Sequence, residues 1–65
     1  MKIDPHLSRE LRRCCQTIKN WAELASCSIQ DGDLKQAFLD LNTVQGETSR
    51  AMNKVLQELA KPNGS

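Results

Sequence analysis

Hydrophobic residues recur along this chain with the spacing of a helical seam. In the first half, apolar or small residues alternate between steps of four and three, which is a heptad repeat. They are Leu7, Leu11, Cys14, Ile18, Trp21 and Ala25. The same steps return in the second half, at Leu34, Phe38, Leu41, Gln45, Thr48, Met52, Val55 and Leu59. Because no stretch alternates with period two, the pattern predicts two amphipathic helices and no strand.

The residues at the predicted helix ends agree with this pattern. Asp4 followed by Pro5 is typical of an N-cap with proline in the first turn, where its missing N–H costs nothing. Asp33 with Gln36 three residues later predicts a capping box for the second helix. Gly32 is suited to the left-handed conformation that ends a helix. The sequence therefore predicts an all-α chain, an antiparallel two-helix hairpin folded at residue 32.

We expect a single domain over residues 1–65. Its first helix is predicted at about residues 5–29, the turn at 30–33 and the second helix at about 34–61. A disordered tail is predicted at 62–65.

The apolar stripe of each helix is wider than a two-helix seam needs. Small or apolar residues also recur seven apart beside each seam, at Cys15, Ala22 and Ile29 in the first helix and at Ala37, Val44 and Ala51 in the second. A helix that is apolar at about three positions in seven is typical of a bundle in which each helix has two neighbours. The pattern favours a homodimeric four-helix bundle, the alternative being a different protein that covers the open face.

The predicted interface with a second copy or another partner combines stripe positions with leucines at or beyond the stripe margin. It comprises Leu11, Cys15, Ile18, Trp21, Ala22, Leu24, Phe38, Leu39, Val44, Ala51, Met52 and Leu56. Leu39 is expected to be exposed in a simple hairpin, either as an isolated surface leucine or as the centre of a partner-binding patch. The polar layer at Gln45 and Thr48 is expected either to fix the register of association or to be solvated where the helices splay. The indole N–H of Trp21 is a candidate hydrogen-bond partner for that layer.

Size and cysteine content indicate where the stability comes from. A chain of 65 residues buries little apolar surface by itself, so small domains usually add disulfides, metals or association. Cys27 lies 12 residues beyond Cys15, about 18 Å along a helix, too far for a disulfide. An odd cysteine count and no apolar leader predict a cytoplasmic protein. No apolar run is long enough to span a membrane.

Catalytic and metal-binding chemistry find little support. His6 is the only histidine and has only Glu10 at helical spacing. Cys14 is expected to be buried in the seam as an inert thiol. No spacing completes a four-ligand metal set or a phosphate-binding loop. We therefore expect a non-enzyme without cofactors or metals.

Basic residues gather on the outer positions of the first helix. They are Arg9, Arg12, Arg13 and Lys19. Glu10 and Glu23 interrupt them, and the net charge of the chain is only +1. A solvated helix face is the commoner meaning of such a run, so nucleic-acid binding is the less favoured alternative.

These patterns favour a small protein–protein interaction module. The leading hypothesis is a regulator or inhibitor of the antirepressor or anti-activator type, which binds and occludes a helical surface of its target. A co-chaperone that covers an aggregation-prone helix is one alternative, and a dimeric RNA- or DNA-binding hairpin is the other.

Overall fold

The chain folds as a helical hairpin. The computed structural model describes residues 3–61, in which helix α1 spans Pro5–Gln30 and helix α2 spans Leu34–Leu59. The two helices pack against each other in antiparallel order, and residues 3–61 contain no strand. The predicted all-α hairpin is confirmed. Helix α1 ends one residue later than expected and α2 two residues earlier, and the predicted disordered tail lies outside the described residues.

Aspartate side chains cap both helices at their N-termini. The carboxylate of Asp4 accepts a hydrogen bond from the backbone N–H of His6 at 2.9 Å. The carboxylate of Asp33 accepts one from the backbone N–H of Gln36 at 3.0 Å. Each bond satisfies a donor that has no partner inside its helix. The predicted capping box is half formed, because the Gln36 side chain donates to Asp40 at 2.9 Å instead of reaching back to Asp33.

A Schellman motif makes the turn. Gly32 has a φ of 79°, and its N–H donates to the carbonyl of Ile29 at 3.0 Å. The N–H of Asp33 donates to the carbonyl of Ser28 at 2.8 Å. These two bonds satisfy carbonyls at the end of α1 and turn the chain back within three residues. The short turn therefore holds the two helices close together at this end of the hairpin.

The seam predicted for α1 does face α2. Its members are half-buried, and Ala25 is 2% exposed. The contact surface of α2, however, is a different one from that predicted. Ala37 and Asp40 are each 3% exposed, and Val44 and Ala51 are half-buried.

The seam predicted for α2 is thus wrong as a contact with α1 near the turn, since Leu34 and Phe38 are both 70% exposed. The small side chains explain the difference. Near the turn the buried residues are Ala25 and Ala37, whose small side chains allow the helices to approach closely, and the large residues of α2 face outward.

A buried carboxylate joins the two helices near the turn. Asp40 of α2 accepts a hydrogen bond from the hydroxyl of Ser28 in α1 at 3.2 Å and a second from the Gln36 amide at 2.9 Å. A charge removed from water is costly unless it is hydrogen-bonded. The two donors therefore make this position tolerable, and the Ser28 bond fixes the register of α1 against α2.

Replacement of Ser28 by alanine is expected to destabilise the hairpin by about 1–3 kcal/mol, because it leaves one oxygen of a buried carboxylate without its donor. Urea unfolding followed by circular dichroism, at one protein concentration, measures the difference. Ser26→Ala is the matched control, since Ser26 lies two residues away and is exposed. Equal stability of the two variants would contradict a structural role for the Ser28–Asp40 bond.

Candidate interaction surface

The large hydrophobic side chains of α2 lie together on one exposed side of the hairpin. With about 3.6 residues per turn, Leu34, Leu41, Met52 and Leu59 fall within about 20° of one another around the helix. Their direction is roughly 100° away from the side of α2 that contacts α1. Each of the four is about half exposed or more. They form the ridge of a surface that the hairpin itself leaves uncovered.

Helix α1 contributes the other half of the same surface. On this side, a groove of about 330 Å³ between the helices is lined by Cys15 and Ile18 from α1 and by Met52, Val55 and Leu56 from α2. A second groove continues it toward the open end of the hairpin, again along Val55, and is lined by Ile3, Leu7, Leu11, Glu58 and Leu59.

We refer to this surface as the apolar face. From α1 it comprises Leu11, Cys15, Ile18, Ala22 and Ile29, and from α2 Leu34, Phe38, Leu41, Met52, Val55, Leu56 and Leu59.

The opposite side of the hairpin is polar. Lys54 of α2 and Glu10 of α1 form an ion pair across the two helices. Near the open end, the Lys61 ammonium lies 2.9 Å from the Glu58 carboxylate, and this hydrogen bond raises the pKa of Lys61. Asp4 and His6 line the same polar hollow. The contrast between the two sides shows that hydrophobic exposure is concentrated on one face rather than spread around the hairpin.

The residues predicted for the interface fall into three groups in the structure. Those half-buried between the helices are Leu11, Ile18, Trp21, Val44 and Ala51. Those exposed on the apolar face are Cys15, Ala22, Phe38, Met52 and Leu56. Leu24 and Leu39 are each 51% exposed and lie outside that face.

Sequence reasoning missed four members of the apolar face on α2. They are Leu34, Leu41, Val55 and Leu59. They belong to the seam of α2, whereas the contact with α1 is made mainly by Ala37, Val44 and Ala51. The signal that could have found them is that second seven-residue repeat, because two parallel stripes on one helix are typical of a helix with two neighbours.

The polar layer in the α2 seam has no partner inside the hairpin. Among residues 3–61, no side-chain hydrogen bond involves Gln45, Thr48 or Trp21. The Trp21 indole, a candidate partner for this layer, makes no hydrogen bond to it within the described residues. Gln45 is exposed, and Thr48 lines the apolar groove.

The basic residues form a separate surface on the outer side of α1. Arg9, Arg12, Arg13 and Lys19 are all exposed. Within the described part of the chain, none of them takes part in an ion pair. This surface points away from α2 and adjoins the apolar face along only one edge.

The chemistry of the remaining side chains is sparse. Over residues 3–61, no three of the histidine, cysteine, aspartate and glutamate side chains come together as a metal-binding group. Cys14 is half-buried, Cys15 and Cys27 are exposed, and all three thiols are free. Neither α1 nor α2 has the length and apolar content to cross a membrane.

No family model, curated protein or solved structure matches this chain.

Proposed function

We propose that this chain is a non-enzymatic interaction module that associates through its apolar face into a homodimeric four-helix bundle. The observation that carries the proposal is the apolar face itself, on which Phe38, Leu34 and Met52 stay 58–70% exposed. Contiguous exposed hydrophobic patches mark interaction sites, whereas scattered single leucines do not. A second hairpin laid on this face gives every helix two neighbours, as the width of the stripes requires.

The surface area of the chain supports association. It exposes 5430 Å², whereas a compact monomer of 7.3 kDa exposes about 4,200 Å². Two separate chains expose about 10,900 Å², and a compact dimer of twice the mass exposes about 6,900 Å², so association would bury about 4,000 Å², in the range of obligate homodimers. A second copy of this chain is thus large enough to cover the uncovered surface.

As a dimer, the module would act on its target through the surfaces that remain outside the bundle. Leu24 and Leu39 lie away from the apolar face and stay available there. We propose a regulator or inhibitor that occludes a helical surface of another protein, in the manner of antirepressors and anti-activators, with a co-chaperone as the alternative. The free thiols of all three cysteines are compatible with a reducing compartment such as the cytoplasm.

Light scattering combined with thermal unfolding over a dilution series tests the association. The expected result is a mass of two chains at high concentration and a melting temperature that falls on dilution, because dissociation is linked to unfolding. A one-chain mass throughout, with a melting temperature independent of concentration, would overturn the proposal.

A second candidate function is nucleic-acid binding by the outer side of α1. It is favoured by the four exposed basic residues that make no ion pair, because a dimer would present two copies of that surface. Binding that falls steeply with salt and disappears when Arg9, Arg12 and Arg13 are replaced by alanine would assign the function to nucleic acid.

A further inference from the structure

The spacing of residues along the seam of α2 is the same whether it is counted from Leu34 or from Leu59. From Leu34 to Leu59 its steps are four, three, four, three, four, three and four residues. Three hydrophobic residues precede the polar pair Gln45 and Thr48, and three follow it. The seam is therefore symmetric about a point between Gln45 and Thr48. Most of it lies on the exposed side of α2, while Thr48 and Val55 border the groove against α1.

We infer that the partner covering this seam is α2 of a second copy, running antiparallel and centred on the polar pair. The inference rests on the proposed dimer and specifies its orientation. About that centre, Leu34 lies opposite Leu59 of the second copy. Phe38 lies opposite Val55, and Leu41 opposite Met52. Large hydrophobic side chains thus meet each other along the full length of the seam.

The polar layer selects this arrangement over its main competitor. In the antiparallel alignment, Gln45 of each copy lies beside Thr48 of the other, so that amides and hydroxyls form hydrogen bonds twice across the symmetry axis. In the competing bundle, α2 lies over α1 of the second copy at equal height. Thr48 lies level with about Ile18, because the antiparallel helices bring Ser28 to Asp40 on one side of it and Glu10 to Lys54 on the other. Gln45 would then face Ile18 and Ala22, which offer no side-chain partner, and buried polar groups without partners are costly.

Helix α1 fits the same symmetry axis. The axis crosses α2 between Gln45 and Thr48, which the Ser28–Asp40 and Glu10–Lys54 contacts place level with about residue 19 of α1. About residues 18–19, Cys15 of one copy lies opposite Ala22 of the other. Both are small residues on the apolar face, so the two α1 helices can approach closely. Every helix then runs antiparallel to both neighbours, an arrangement that helix dipoles also favour.

Cysteine cross-linking tests the orientation directly. In a background in which Cys14, Cys15 and Cys27 are replaced by alanine, the variant carries Leu41→Cys together with Met52→Cys. Within one chain these positions are 11 residues apart, about 16 Å along α2, too far for an intramolecular disulfide. Near-complete conversion to a covalent dimer under mild oxidation is the expected result.

The two single variants are the matched controls. In the antiparallel alignment each introduced thiol lies about 16 Å along the axis from its own copy, so neither single variant should cross-link. If both single variants cross-link as fully as the double variant, or if the double variant fails while light scattering still shows a dimer, the orientation is wrong but the dimer stands. If the unsubstituted protein under reducing conditions is a monomer by light scattering, the dimer itself is refuted, and the orientation with it.

Discussion

Leu41→Glu is expected to convert the dimer into monomers, weakening association by about 100-fold or more. Leu41 lies in the ridge of the apolar face and is 49% exposed in the single hairpin. In the bundle its side chain would be buried, and the glutamate would carry a charge into an interface without a cation. An uncompensated buried charge costs about 3–5 kcal/mol. Each 1.4 kcal/mol changes a dissociation constant about tenfold.

Leu39→Glu is the matched control for this substitution. Leu39 is on the same helix, two residues away and 51% exposed, but it lies outside the apolar face. Sedimentation velocity over a concentration series should find Leu39→Glu dimeric and Leu41→Glu monomeric, with circular dichroism reporting the helicity of both. Equal loss of association in the two variants would mean that any added charge is disruptive. That outcome would contradict the proposal that the apolar face is the dimer interface.

The Leu39→Glu variant also tests the proposed regulatory role. If the surface around Leu39 contacts the target, Leu39→Glu impairs capture of that target while the dimer stays intact. Leu41→Glu would act differently, by dissociating the bundle that presents the surface. Measurements of self-association and of target capture on both variants therefore separate the two surfaces.

Helices, caps and turn were predictable because their signals are local. Asp4, Asp33 and Gly32 act on backbone groups within three residues of themselves along the chain, so sequence spacing is enough to identify their roles. The heptad steps likewise indicated which residues share a side of each helix. The same steps did not indicate which side of α2 meets α1.

The rotation of α2 depends on contacts between residues that are distant in sequence. Two adjacent stripes on α2 compete for α1, one with large side chains and one with Ala37, Val44 and Ala51. Beside the tight turn the small stripe makes the contact, because alanine lets two helices approach more closely than leucine or phenylalanine does. Burial of Asp40 was equally unpredictable, since Ser28, which makes it tolerable, is 12 residues away and becomes a neighbour only in the folded hairpin.

The sequence predicted that the hairpin has an uncovered apolar surface, but it did not predict all of the residues that form this surface. The width of the stripes predicted an uncovered apolar surface, and Cys15, Phe38, Met52 and Leu56 do lie on it. Assigning the α2 seam to the wrong neighbour left Leu41 out of the predicted interface and brought Val44 in. The error arose because a heptad repeat indicates that a helix packs against another helix, but it does not identify that other helix.

Replacing the polar layer with Gln45→Leu and Thr48→Val is expected to raise the free energy of unfolding of the dimer by about 1–4 kcal/mol, as when buried polar groups give way to packed hydrophobic ones. Specificity should fall at the same time, because a uniformly apolar seam no longer distinguishes one register or orientation from another. Urea unfolding at fixed protein concentration measures the first effect. The second appears as cross-linking in the Leu41→Cys and Met52→Cys single variants.

Gln57→Leu is the control for added hydrophobicity alone, since Gln57 is an exposed glutamine of α2 that lies outside the apolar face. It should leave both the stability and the cross-linking pattern nearly unchanged. A layer replacement that lowers stability would mean that Gln45 and Thr48 contribute net binding energy through their hydrogen bonds. One that leaves cross-linking confined to the double variant would mean that the hydrophobic side chains of the seam are sufficient to set the register, with no contribution from the polar pair.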